Sequence, residues 1–272
     1  MFKFIFMFVF KIRATWLLLI LGLYPLLIFL AQFLNSNFLS LSASQAGSVN
    51  FLETFIAIYD TQQKSMLSLI IVAYLASILF YNEISTSRLL FFKDQNRNKI
   101  FNNKFLSIII VYITFLIIYC VSSIIVYLYF VNNHDYSSHS LLLKDTKYNH
   151  YLMTNLIGLF FTDAILIFLS LIASIRFNTG VTIITLITGF ILIKVTDSID
   201  KIKLFPSNFI KLDSNISFSQ NLLIMSVITL VYIVVIYLYQ NLFLKKYNIN
   251  IYIIELIIKI LKTYVAKFIK ST

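Results

Sequence analysis

The chain has 272 residues, of which 60% are hydrophobic and only 12% are charged, whereas soluble domains are about 45 to 50% apolar and about 25% charged. Such a chain lacks the polar surface of an ordinary soluble domain. Several of its apolar runs approach the roughly 20 residues that cross a bilayer. The composition therefore predicts an integral membrane protein.

Residues 1–14 are rich in phenylalanine and basic at Lys3, Lys11 and Arg13, which predicts an amphipathic helix in the membrane interface that leads into the first span. Six apolar runs follow over residues 15–243. They should be helices, because lipid offers no partner for backbone amides and the runs lack the alternation of barrel strands. The predicted spans are 15–34, 66–81, 105–131, 155–175, 181–196 and 221–243.

The distribution of basic residues predicts the orientation. With both termini in the cytoplasm, the inner segments hold fifteen of the 22 lysines and arginines and only three acidic residues. Lysine and arginine accumulate on the cytoplasmic side of membrane proteins. The net charge of +11 is then explained by anionic lipid headgroups, and no nucleic-acid partner is expected.

The first inner loop, residues 82–104, reads NEISTSRLLFFKDQNRNKIFNNK. It is longer than a connection between neighbouring helices requires. Its basic residues surround an apolar cluster that water would disfavour. Such a segment can bury its apolar side in a cytosolic partner, or in lipid as a basic surface helix. The residues predicted to act here are Glu83, Arg88, Leu90, Phe91, Phe92, Lys93, Arg97 and Lys104.

This loop resembles the first cytoplasmic loop of permease subunits of type-2 ATP-binding-cassette exporters. In that family a glutamate follows the second span, and a lysine at the next span stands seven residues after an arginine. Glu83, Arg97 and Lys104 match this pattern. The family's Gly-Thr pair after the glutamate and its proline before the arginine are absent. Six spans, cytoplasmic ends and a short second inner loop at 176–180 extend the resemblance over nearly the whole chain.

The resemblance implies a coupling helix in residues 82–104 that docks in a cytosolic ATPase. It also implies a second permease copy or a sister subunit, because six helices form half of the translocation path in this family. The chain has no G-x-x-x-x-G-K-S/T loop and only five glycines. We therefore expect no cofactor in this chain, and ATP and Mg²⁺ would be bound by the partner P-loop ATPase. No catalytic residues are predicted.

The three histidines, His134, His139 and His150, all fall in the outer segment 132–150. Imidazole and carboxylate are ligands for zinc or copper, but the spacing fits no established motif. Solvated loop histidines are the default interpretation, and no metal site is predicted.

Asp163 is the acidic residue that falls inside a predicted span. A charge at the centre of a membrane helix costs about 2.5 to 3.5 kcal/mol on insertion scales, so it normally faces protein or water. Polar residues share its face of the fourth helix, and this stripe is predicted to face the bundle interior. Either a translocation path or helix packing would explain it. The stripe consists of Asn155, Thr162, Asp163, Ser170 and Ser174. On the fifth helix, a small-residue stripe that includes Thr182 and Gly189 predicts close helix packing.

Residues 244–272 predict a basic amphipathic helix at the cytoplasmic surface, because the polar residues between 251 and 270 gather on one helical face. A seventh span is the alternative, but its four lysines would make crossing costly.

The sequence thus predicts an all-α integral membrane protein of the cell membrane, with six transmembrane helices and amphipathic helices at both ends. The resemblance implies a permease subunit of an ATP-driven exporter, of the compact Gram-positive kind that exports antimicrobial peptides or confers immunity to them. The expected substrate is amphipathic or hydrophobic, such as an antimicrobial or other peptide. The alternative is a non-transporting membrane immunity or assembly protein that acts by binding.

Overall fold

A computed structural model describes residues 2–33, 47, 49–86, 97–142, 145–199, 204–209 and 218–238. This part of the chain is helical and contains no β-strand. Contacts divide the chain into two compact units, Met1–Thr229 and Leu230–Thr272. The helices are α1 (Phe2–Lys11), α2 (Arg13–Leu21), α3 (Leu27–Phe33), α4 (Phe51–Ser65), α5 (Leu67–Leu79), α6 (Tyr81–Ser85), α7 (Arg97–Tyr129), α8 (Thr146–Arg176), α9 (Thr179–Asp197) and α10 (Phe218–Leu238).

Four of these helices, α7 to α10, are each long and apolar enough to cross a membrane. Two further candidates are pairs of helices with a bend between them. In one pair α1 and α2 are bent by 74°, and in the other α4 and the helical segment Leu67–Glu83, which includes α5, are bent by 53°. The structure therefore confirms a helical protein of membrane-spanning character with four to six candidate spans. The last four predicted spans lie on α7 to α10, apart from residues 239–243 of the sixth, which lie outside the described residues.

The first predicted span, 15–34, is broken in the structure. The helix α2 ends at Leu21, and a short 3₁₀ turn, Tyr24–Leu26, with Pro25 at its second position, separates it from α3. The hydroxyl of Ser122 on α7 donates to the carbonyl of Gly22 over 2.8 Å. The break therefore has a polar partner on the neighbouring helix, as a break in an apolar environment requires.

The second predicted span, 66–81, covers only the second half of a longer element. The helix α5 has 13 residues and is about 20 Å long, too short to cross the hydrocarbon layer by itself. It is preceded by α4, which lies in the connection between the first two predicted spans, where no helix was predicted. Asn50 caps α4 through its side-chain oxygen, which accepts from the backbone N–H of Glu53 over 2.6 Å. The two helices meet at Met66, which has a left-handed backbone with φ 56°.

The helices α8 and α9 pack closely, as the small-residue stripe predicts. Thr182 is fully buried, and a Cβ atom on Gly189 would lie 2.8 Å from the Cδ2 atom of Leu169. Both helices have side-chain N-caps. Asp145 accepts from Lys147 and Tyr148 at the start of α8, and Asn178 accepts from Val181 at the start of α9.

The helix α1 lies within the predicted N-terminal segment 1–14, and its place at the membrane surface remains a prediction. The predicted C-terminal helix, residues 244–272, lies outside the described residues.

Candidate functional site

An ion pair joins the two ends of residues 82–104, the predicted first inner loop. Glu83 on α6 and Lys104 on α7 form a salt bridge between the carboxylate and the ammonium group. The Lys104 Nζ atom also donates to the carbonyl of Leu79 over 2.8 Å, at the end of α5. It lies 5.6 Å from the centre of the Phe80 ring. The ammonium group of Lys104 thus links α7 to the end of α5 and to the side chain of Glu83 on α6.

The environment of this pair is largely closed to water. The side chain of Lys104 is 6% exposed and that of Glu83 is 17% exposed. The Phe80 ring packs against Phe101 with centroids 4.7 Å apart, and Phe105 packs against Phe168 of α8 at the same centroid distance. A buried ion pair of this kind needs both partners, because one partner alone would leave an uncompensated charge.

Among the other residues of the predicted coupling segment, Arg97 is described. Arg97 is the first residue of α7. Arg88, Leu90, Phe91, Phe92 and Lys93 lie outside the described residues, and their role remains a prediction. The two residues that the structure brings together, Glu83 and Lys104, are 21 positions apart in the chain and are both members of the family pattern.

A second site surrounds Asp163, which lies fully inside the protein near the middle of α8. The Tyr112 hydroxyl oxygen lies 2.6 Å from the Oδ2 atom of Asp163, within hydrogen-bond distance, and the Tyr59 hydroxyl donates to the same oxygen. The Gln63 amide donates to the Oδ1 atom over 2.7 Å. The carboxyl group therefore connects α4, α7 and α8.

Aromatic rings enclose this carboxyl cluster. The Tyr59 ring is in edge-to-face contact with both Tyr119 and Phe160, at 5.3 Å between centroids, and it stacks on Phe55 at 6.0 Å. Such aromatic pairs add to the packing energy. In the described part of the chain, no lysine, arginine or histidine forms a salt bridge with Asp163.

The remaining members of the predicted stripe on α8 follow the helix-packing pattern. Thr162, Ser170 and Ser174 are buried, and each hydroxyl donates to a carbonyl of its own helix. Asn155 is partly buried. The prediction that this face points into the bundle is confirmed for the four buried members, and a role in a translocation path stays a prediction.

The sequence analysis missed Tyr59, Gln63 and Tyr112, the partners of Asp163. Tyr59 and Gln63 are four residues apart, which places them on one face of a helix. That signal was present, but α4 had not been recognised as a helix.

The three histidines lie in separate surroundings. The His134 ring stacks on Tyr136 with centroids 5.1 Å apart, and His150 stacks on Phe218 at 4.7 Å. The Nδ1 atom of His139 lies 2.6 Å from the side-chain oxygen of Asn132.

The fold and these two buried polar sites define a helical membrane protein. Comparison with family models, with curated proteins and with solved structures gives no match. Its function is therefore argued from the sequence pattern and the two sites.

Proposed function

We propose that this chain is the membrane-spanning permease subunit of an ATP-driven exporter of the type-2 ATP-binding-cassette class. A separate cytosolic P-loop ATPase would bind ATP and Mg²⁺, and a second permease copy or a sister subunit would complete the path. The protein would lie in the cell membrane with both termini in the cytoplasm. The proposed substrate is amphipathic or hydrophobic, such as an antimicrobial peptide.

The observation that carries this proposal is the buried contact of Glu83 with Lys104. In the proposed mechanism, closure of the ATPase dimer moves the membrane helices through a rigid element that is held on both sides. An ion pair between the two ends of loop 82–104 would transmit that movement to α5 and α7 together. The free energy of nucleotide binding would favour one conformation through differential affinity.

The apolar cluster Leu90, Phe91 and Phe92 would supply the contact with the ATPase. Apolar and aromatic residues dominate the buried centres of protein interfaces, whereas charged residues lie at the rim. Arg88 and Lys93 flank this cluster in the sequence and would orient it in the ATPase cleft.

The first test is purification of the tagged chain from its native host in mild detergent, with mass spectrometry of the proteins that copurify. We expect a stoichiometric P-loop ATPase. It should be lost when Leu90, Phe91 and Phe92 are together changed to Ser. The matched control changes Leu141 and Leu142 to Ser. These two side chains are exposed, at 67% and 48%, and lie in the segment predicted to be outside the cell.

Absence of an ATPase, even after gentle cross-linking, would contradict the transporter proposal and favour the immunity or assembly protein that acts by binding. Equal loss of the ATPase in the control would show that the serine changes act through general destabilisation and would reject the docking role of loop 82–104.

A further inference from the structure

Three oxygen atoms around Asp163 form a closed triangle. The Tyr112 hydroxyl lies 2.6 Å from the Oδ2 atom of Asp163, and the hydroxyl oxygens of Tyr59 and Tyr112 are 3.1 Å apart. The Tyr59 hydroxyl closes the triangle with the same Oδ2 atom. Gln63 occupies the other carboxyl oxygen. Among the described residues, every group in hydrogen-bond contact with this carboxyl is therefore neutral.

The triangle of oxygen atoms can bind one proton more than the two tyrosine hydroxyls supply. Each of its three edges can hold one O–H group, and the two tyrosines supply two. With Asp163 ionised, both phenols donate to the carboxylate, and the edge between Tyr59 and Tyr112 holds no proton. With Asp163 protonated, the acid donates to Tyr112, Tyr112 donates to Tyr59, and Tyr59 donates back to the acid. Each hydroxyl then donates once and accepts once.

Several charged groups on the elements packed against α8 have partners other than Asp163. The Nζ atom of Lys194 on α9 lies 3.9 Å from a carboxylate oxygen of Asp60 on α4. Asp60 also forms a salt bridge with the exposed Lys64. No charged residue occurs on α5 or in the 3₁₀ turn Pro206–Phe209. Glu83 is paired with Lys104, Glu53 of α4 accepts from the Tyr148 hydroxyl over 2.9 Å, and Asp197 accepts from Ser207 and Asn208.

Burial decides between the two protonation states. An ionised carboxyl away from water is costly unless an opposite charge contacts it, and such a group usually takes up a proton instead. The neutral acid, by contrast, has a full set of hydrogen bonds in the geometry observed.

We propose that Asp163, Tyr59 and Tyr112 form a proton-binding site inside the membrane domain, and that Asp163 carries the proton at neutral pH. The site includes α4, so a movement of α4 away from α7 and α8 would remove Tyr59 and Gln63 and open the triangle. Release or exchange of the proton is thereby tied to the position of α4. This inference goes beyond the export proposal and does not depend on an ATPase partner.

Infrared difference spectroscopy of the full chain in liposomes tests this site directly. At pH 7, the Asp163→Asn variant should lose the carbonyl stretching band of a protonated carboxylic acid. The matched control is Asp60→Asn on α4, whose partly exposed carboxylate is paired with Lys64. It should lose only bands of an ionised carboxylate. Loss of carboxylate bands in Asp163→Asn, with the acid band unchanged, would overturn the proposal.

A second measurement keeps the test valid if Asp163→Asn does not fold. Protein labelled with ¹³C-aspartate should show, at pH 7, an acid band that the label shifts. The Tyr112→Phe variant should change the frequency of that band, because it removes the acceptor for the proton of Asp163. Absence of a label-shifted acid band, or a band that does not respond to Tyr112→Phe, would reject the site.

Discussion

Separate and joint removal of Glu83 and Lys104 should show that the two side chains act as one unit. Removing one partner of a buried ion pair typically costs about 3 to 5 kcal/mol. In Lys104→Met, the carboxylate of Glu83 loses its partner, but it is 17% exposed and keeps some contact with water. We therefore expect the lower end of this range, about 3 kcal/mol.

The Glu83→Gln variant should be milder. The amide oxygen can still accept from Lys104, whose Nζ atom also retains the carbonyl of Leu79 at 2.8 Å and the Phe80 ring at 5.6 Å. Because that hydrogen bond is kept and only the charge of Glu83 is lost, the cost should stay below the value of about 3 kcal/mol expected for Lys104→Met. In the double variant no charge remains buried, so its cost should be less than the sum of the single costs by about 0.5 to 3 kcal/mol.

The assay is equilibrium unfolding of the purified protein in mixed micelles with increasing denaturing detergent, followed by the fluorescence of Trp16, the single tryptophan. The control cycle uses Asp60→Asn and Lys64→Met on α4, a pair whose side chains are 31% and 64% exposed, so its coupling should be only about 0.2 to 1 kcal/mol. If the costs of Glu83→Gln and Lys104→Met simply add, the two residues are independent, and the argument for a rigid junction at loop 82–104 fails.

Two further predictions concern the packing and the start of α9. Gly189→Leu should destabilise the protein by about 1 to 3 kcal/mol, because a side chain there meets Leu169 and Leu166 of α8 and would overpack the contact. In the same unfolding assay, Thr188→Leu at the neighbouring exposed position should change stability by less than about 0.5 kcal/mol. Equal effects at both positions would contradict the close approach of α8 and α9. Asn178→Ala should cost about 1 kcal/mol by removing the side-chain cap on the N–H of Val181. Asn178→Asp, which can still cap the helix, should retain most of that stability. An equally large loss in Asn178→Asp would mean that the cap is not the source of the effect.

The long helices could be predicted because each is apolar over enough residues by itself. The runs on α7, α8 and α9 need no knowledge of neighbours, since lipid forces an apolar segment of that length into a helix. The pairing of Glu83 with Lys104 was not predicted, although both residues belong to the pattern that carries the resemblance of loop 82–104.

The helix α4 was beyond a hydropathy argument. It carries Glu53, Asp60, Gln62, Gln63 and Lys64, and such polar content is typical of a segment outside the membrane. In the structure Gln62 and Gln63 are buried while Lys64 is exposed. These adjacent residues differ in burial because α4 turns one face to the protein and the other face away from it. That difference depends on where α4 lies between its neighbours.

The amino-acid sequence is sufficient to predict a helical protein with the character of a membrane protein, because its apolar runs must satisfy their backbone hydrogen bonds within each segment. Where the first two apolar runs break, and which residues contact Asp163, depend on the packing of the helices. Tyr59 lies 104 positions from Asp163 and Tyr112 lies 51 positions from it. No local pattern specifies that three residues so far apart will share one hydrogen-bonded cluster, because their meeting depends on how α4, α7 and α8 pack together.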